Sequence, residues 1–286
     1  MSDETLTASE QKVAPSQPEI SDGFANYLRT QRRRSAQVTM FQFGIVVGFL
    51  ILWELAPRLH WINPMLTSYP SAVLRTLWGL ILDGSLWGHT LATFYATLIG
   101  FVGSLIIGIA VAALLWLSPF LNKVLDPIIV VLNALPKIAL VPVFFIWLGA
   151  TSSIYAMAIS ISVFVTIVML YTGFEAVDED KIKLAKLYGA SRIQILRKII
   201  LPGSVPTMIS ALKISAGLSL VGVVVGEFQA SKAGLGYLIT FGGQIFQMNL
   251  VMTSLVMLAF LSTVLFAAIK YFENYIYRRR GIKSGQ

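Results

Sequence analysis

Apolar runs long enough to cross a bilayer dominate the chain, and short polar segments separate them. The runs occupy 38–56, 89–117, 128–148, 154–172, 205–227 and 250–271. A hydrocarbon core of about 30 Å needs roughly 20 apolar residues as helix, so each run reads as one span. The second is long enough that it has to tilt or protrude. No water is available in hydrocarbon to satisfy backbone groups, so the spans have to be helices. The strict alternation of a barrel strand is missing. The pattern therefore predicts an all-α integral membrane protein with six transmembrane helices. Between the first two spans, 71–82 is amphipathic, opened by Pro70 and closed by Gly84. It lies at the membrane interface or is an ordinary loop helix.

The polar segments divide the chain further. Residues 1–37 are polar, hold Pro15 and Pro18, and lack the apolar core and cleavage site of a signal peptide. They read as a disordered tail with a short surface helix near 24–34. The spans make one domain over 38–277, and 278–286 is a basic tail. The loop 175–203 has structure of its own. Asp178 caps a helix whose positive end suits Glu179 and Asp180, and Lys181, Lys183 and Lys186 follow. Ile182, Ala185 and Tyr188 fall three apart, with Leu184 and Leu187 beside them, as one greasy stripe. Gly189 supplies a left-handed stop. Ser191 and Gln194 then form the capping box of a second helix. Its apolar side is Ile193, Leu196, Ile199 and Ile200, its polar side Arg192, Arg197 and Lys198, and Pro202 ends it. The product is a hairpin of two short helices hinged at Gly189, with an apolar face that needs a partner. That partner is either the lipid headgroups or a groove on another protein.

Composition changes the picture mainly through charge. Only 13% of the 286 residues are charged and 56% are hydrophobic, against about one quarter charged in soluble domains. A net charge of +8 would suggest nucleic acid in a soluble protein. Here the cations are segregated. Sixteen lie on the side that holds both termini and the 175–203 loop, against Arg58, Arg75 and Lys232 on the other. By the positive-inside bias both termini and the loop are cytoplasmic, and no nucleic-acid partner is needed. Cysteine is absent and the two histidines, His60 and His89, are far apart, so no metal-ligand pattern exists. There is no G-x-S-x-G elbow and no phosphate loop, nor even a Gly-Lys pair. The chain is expected to have no catalytic residues and to bind no cofactor itself.

Chemistry inside the membrane is sparse. Pro136 and Pro142 interrupt the third span, and irregular backbone at membrane depth is tolerated where protein or a water-filled cavity covers it. The pair marks either a translocation pathway or a plain kink. Lys137 beside the break costs about 2.5–3.5 kcal/mol at mid-membrane, so it needs a cavity or a partner. It either attracts an anionic solute, binds a carbonyl freed by a proline, or snorkels. Asn133, Ser160, Ser162 and Thr166 add polarity that lines a pathway or bonds its own helix. Glu227 ends the fifth span, facing the pathway or the interface. Gly234 and Gly236 suit a turn or re-entrant bend. Small residues four apart, Gly44/Gly48, Gly100/Ser104/Gly108 and Gly222/Gly226, allow close helix approach, within one subunit rather than at a dimer seam.

Gly189, Ile199, Leu201 and Pro202 form the pattern G-x9-I-x-L-P. In its place between spans four and five it resembles the cytoplasmic signature of permease subunits of binding-protein-dependent ABC importers. Leu135-Pro136-Lys137-Ile138-Ala139-Leu140-Val141-Pro142 with Ile146-Trp147-Leu148-Gly149 resembles the nitrate/sulfonate/taurine branch. So do Val225-Gly226-Glu227-Phe228 and Gly234-Leu235-Gly236-Tyr237-Leu238-Ile239. The likeness covers roughly 65–277. It implies a type I ABC importer permease fold, with coupling helices in 175–203 that sit in a cleft of the ATPase subunit. Lys183, Leu184, Ala185, Gly189, Ala190, Ser191, Ile199, Leu201 and Pro202 would form the coupling contact. Lys183-Leu184-Ala185 stands where the family has Glu-Ala-Ala, which puts a specific acid contact in doubt but not the helix. The resemblance further implies partners: ABC ATPase subunits that carry ATP and Mg, an extracytoplasmic solute-binding protein, and a second permease copy, identical or paralogous, in a bacterial inner membrane. The cargo would be a small anion such as a sulfonate, nitrate or bicarbonate, or alternatively a vitamin precursor or other aromatic solute. A stand-alone secondary transporter would want acids buried mid-span, which the runs lack.

Overall fold

The structure is a computed structural model that describes the backbone of residues 22–280, with side chains described except for 22–36, 64, 65 and 280. The expected disordered tail at 1–21 and the last residues of the basic tail, 281–286, lie outside the described residues. The chain divides into two units, the first ending at Leu55 and the second running from Ala56. The first unit consists of α1, Asp22–Arg58, up to that boundary. Helix therefore begins at Asp22, and the short helix expected near 24–34 is continuous with the first span. After Gly23 that stretch has no glycine or proline, and its Ala, Leu, Arg and Gln residues favour helix. Gly44 and Gly48 have open space at the position of a Cβ, so they serve no packing within this unit.

The second unit contains short helices α2 (Pro64–Thr67) and α3 (Pro70–Leu82). They are followed by α4 (Ser85–Leu117), α5 (Pro119–Ala134), a 3-10 turn (Lys137–Leu140) and α6 (Val141–Glu175). The hairpin helices α7 (Glu179–Leu187), α8 (Arg192–Ile195) and α9 (Leu201–Gly203) lead to α10 (Val205–Ala230), α11 (Leu235–Gln244) and α12 (Met248–Arg280). No strand occurs among the described residues. Five helices there are long and apolar enough to cross a membrane: Gln37–Arg58, Ser85–Leu117, Lys137–Glu175, Val205–Ala230 and Met248–Arg279.

The third run, 128–148, is not one helix. Its first residues end α5, and Leu135, which precedes Pro136, is extended at φ −61°, ψ 137°. Pro142 falls in the first turn of α6, where no backbone donor is needed. The two prolines therefore stop one helix and start the next. Gly149 leaves helical geometry at φ 76°, ψ 175°, so α6 is itself two helices. Upstream, Ser118 caps α5 by accepting from the Leu121 N–H at 3.2 Å, with Pro119 following it. The polar Lys123 and Asp126 hid these first turns from the hydropathy pattern.

The core of the second unit is α4, α6 and α10, and small residues set its spacing. A Cβ on Gly222 of α10 would lie 2.6 Å from the Cα of Ala158 and 2.9 Å from the carbonyl oxygen of Met157, both on α6. A Cβ on Gly226 would lie 2.9 Å from the Cα of Ile154, and one on Gly108 of α4 2.6 Å from Thr166 Cγ2. Gly100 meets Ala158 in the same way. Lipid tails are as apolar as the side chains, so close backbone approach replaces the hydrophobic effect as the cohesive term. Buried hydroxyls join these seams: Ser104 to Ser215 at 2.9 Å and Ser219 to Ser162 at 3.1 Å. Gly222→Val presses against backbone that cannot give, at a cost of about 1–3 kcal/mol. Its thermal midpoint in detergent should fall clearly, while Gly217→Ala, with open space at its Cβ, should match the parent. Equal midpoints for the two would refute the seam.

Candidate functional site

Two features stand at opposite ends of α10. The first is the hairpin between α6 and α10. The Asp178 carboxylate accepts from the Asp180 N–H at 2.9 Å and starts α7. Gly189 takes φ 76° and closes α7: its N–H donates to the Lys186 carbonyl at 2.9 Å, and the Ala190 N–H to the Ala185 carbonyl at 3.0 Å. This paired closure is the usual left-handed helix stop. Ser191 and Gln194 form the reciprocal capping box, at 3.3 Å and 2.8 Å. Beyond α8 the chain widens into a π-helical turn, Leu196–Ile200, because Pro202 has no N–H for the Lys198 carbonyl.

The greasy stripe of α7 turns out to be two faces. Ile182 and Ala185 pack with Ala190, Ile199 and Leu201 against a cluster built on Phe174, Ile195, Leu196 and Ile200. Leu187 and Tyr188 point away and are 85% and 84% exposed, and Leu184 and Ile193 share that outward side. Arg192 Nη1 donates to the Leu117 carbonyl at 2.8 Å and so fastens the hairpin to the end of α4. Lys183 pairs on its own helix with Asp180 at 3.2 Å and Glu179 at 3.4 Å. Its pKa is raised, first by the bond to Asp180 and then by Glu179, so it remains a cation.

The second feature surrounds Glu227, about 33 Å along α10 from Val205 at 1.5 Å per residue. Gly234, at φ 115°, turns the chain back into α11. The first three N–H groups of that turn are taken by side chains of other elements. Gly234 donates to His89 Nδ1 at 3.0 Å, Leu235 to Thr93 Oγ1 at 2.8 Å, and Gly236 to Glu227 Oε2 at 2.7 Å. Thr93 Oγ1 in turn donates to Glu227 Oε1 at 2.8 Å. The ring of His89 stacks on Tyr237, centroids 5.9 Å apart. Glu227 is 2% exposed. Its carboxylate closes a helix start, where the dipole favours negative charge. The short residues are required: a Cβ on Gly234 would overlap the Glu227 carboxyl carbon, and one on Gly236 would lie 2.8 Å from Oε2.

Beside this clamp lies a half-open cavity of about 580 Å³. Its walls include Tyr95, Phe145, Thr151, Tyr155, Gln229 and Lys232, with Glu227 at its edge. Of the pathway candidates Asn133, Pro136, Lys137, Pro142, Ser160 and Glu227, only Glu227 borders this cavity. Lys137 Nζ instead donates to the Asn133 carbonyl at 2.8 Å, and lies 5.6 Å from the centre of the Phe164 ring. In an unbroken helix that carbonyl would receive the N–H of residue 137, so the ammonium takes over the bond the proline break removed. Ser160 bonds the Met157 carbonyl at 3.1 Å. Ser162 and Thr166 are buried in the α4–α6–α10 core.

Sequence reading missed three things here. Thr93 and His89 carried no local signal, since they meet α11 from more than a hundred residues away. A 2.7 Å ion pair joins Lys213 of α10 to Glu273 of α12, because α12 continues past the expected end at 271. The two faces of α7 follow from where the hairpin docks, which periodicity does not specify.

The chain is similar to known proteins. Residues 104–282 match the family described as binding-protein-dependent transport system inner membrane component. The taurine transport system permease protein TauC of Escherichia coli K12 is 28% identical over 237 residues, covering 81% of this chain and 86% of that protein. The riboflavin transport system permease protein RibX of Chloroflexus aurantiacus is also 28% identical, covering 80% and 86%. A chain of the inward-facing MetNI methionine ABC transporter superposes with a TM-score of 0.57 at 20% identity, covering 68% of this chain and 95% of that one.

Proposed function

Since the chain belongs to the family of binding-protein-dependent transport system inner membrane components, it is a multi-pass permease subunit of an ABC importer, and we propose that it carries a small organic anion of the sulfonate class inward. Hydrolysis is the work of a separate ATPase subunit, and an external binding protein delivers the solute. The 176–203 hairpin faces the cytosol with both termini and is the part the ATPase turns. ATP and Mg reside on that partner. Closure of the ATPase pair drags the hairpin, the helices anchored to it rock, and the cavity beside Glu227 opens outward to the loaded binding protein. Hydrolysis resets the inward-facing state. This is two-state coupling through a physical contact. Apolar residues around the proline break, among them Ile146 and Trp147 at 78% and 75% exposure, face a second permease copy or lipid.

One observation carries the coupling role: Leu187 and Tyr188 stand exposed on a hairpin whose other face is packed into the body. Rigid apolar side chains presented this way suit a groove on a partner. The sulfonate reading draws on the relative named for taurine; the relative named for riboflavin supplies the alternative. A tagged chain should bring down its ATPase. The complex, reconstituted with its binding protein, should take up radiolabelled taurine or butanesulfonate in a vanadate-sensitive, ATP-dependent manner. Uptake of riboflavin with no uptake of either sulfonate would move the cargo to the vitamin class. Uptake driven by an ion gradient without the ATPase would overturn the coupling.

A further inference from the structure

We propose that the cavity beside Glu227 is a solute subsite on the permease itself, in which Lys232 receives the anionic head and Tyr95 and Tyr155 flank the carbon body. The inference rests on the importer reading above and extends it to named residues. A volume of about 580 Å³ falls in the range of small-molecule sites, about 300–1,000 Å³. The walls combine the aromatic faces of Tyr95, Phe145 and Tyr155 with Thr151 and Gln229 as hydrogen-bonding groups and Lys232 as the cation. A bare inorganic anion would leave the aromatic wall unused, and a neutral solute would leave the ammonium unused. A short organic anion uses both.

The charge balance points the same way. Glu227 also borders the cavity, but its oxygens are taken by Thr93 and Gly236. Among the described residues no carboxylate pairs with Lys232, which is exposed. The turn that carries it is held from both sides. Ser231 and Ala233 bond each other across Lys232, and the Gly234 N–H is fixed on His89. The backbone that carries Lys232 is therefore held beside the cavity before solute arrives, which lowers the ordering cost of binding.

The test uses the assembled transporter in proteoliposomes at saturating binding protein, with radiolabelled taurine and butanesulfonate. Lys232→Gln should lower the initial uptake rate by about tenfold or more per assembled complex, and Lys232→Arg should keep most of it. Because the chain has no cysteine, Thr151→Cys gives a single thiol in the cavity. Butanesulfonate delivered by the binding protein should slow its labelling by a charged thiol reagent. Wild-type uptake by Lys232→Gln, or unprotected labelling of Thr151→Cys, overturns the subsite. So does a Lys232→Gln defect that disappears when more binding protein is added, since Lys232 would then be a docking contact. If the parent complex takes up neither sulfonate, the cargo reading itself fails and takes this inference with it; the parent measurement alone separates that outcome from failure of the subsite.

Discussion

Gly234→Val is expected to abolish transport and to lower the stability of the permease more than any other single change considered. Two costs combine. Gly234 sits at φ 115°, where a β-branched residue is strained, and its Cβ would overlap the Glu227 carboxyl. The carboxylate would have to leave, stranding the Gly236 N–H and the Thr93 hydroxyl. Strain and unsatisfied buried groups together amount to about 3–5 kcal/mol. The measurement is a thermal midpoint in detergent beside uptake in proteoliposomes. A second set separates the causes. Glu227→Ala alone should destabilise, and adding Gly234→Ala should cost less in that background than in the parent, because the steric part is gone. Equal costs in the two backgrounds would show that Gly234 does not make room for the carboxylate.

Leu187→Asp combined with Tyr188→Asp is expected to leave the permease folded and inserted, yet unable to hold its ATPase. Both side chains are over four-fifths exposed, and neither belongs to the apolar cluster that seats the hairpin. The fold should lose less than about 0.5 kcal/mol. A buried aromatic anchor at an interface contributes about 2 kcal/mol or more, and burying an unpaired carboxylate adds to the loss. Co-purified ATPase should therefore fall at least thirtyfold, about the ratio that 2 kcal/mol implies, and ATP-driven uptake should stop. The same variant separates the two partners the hairpin could have. If α7 merely rests on headgroups, two aspartates would loosen it from lipid and leave the ATPase bound. Full co-purification in the double variant would refute the docking role.

How much of this was legible depended on the range of each interaction. The hairpin could be read almost residue by residue, since Asp178, Gly189 and the Ser191–Gln194 box act within a few positions of the backbone they satisfy. The proline break was visible too, and Lys137 reaches only four residues back to its carbonyl. The third run nonetheless looks continuous in the sequence, because hydropathy averages over a break that proline makes locally. Glu227 reads in the sequence as an acid at the end of a span, but its hydrogen-bond partner Thr93 lies 134 positions away.

The sequence by itself determined most of the stretches that are helices suited to lipid, where the polar hairpin interrupts them, and how that hairpin is capped. Those outcomes follow from side-chain transfer into hydrocarbon and from hydrogen bonds made within one turn. Tertiary structure alone decided which face of α7 is buried, which glycines are packed, and that Glu227 closes the start of α11. Each of these depends on two helices distant in sequence meeting at a particular height and rotation, and no local energy term sets either one.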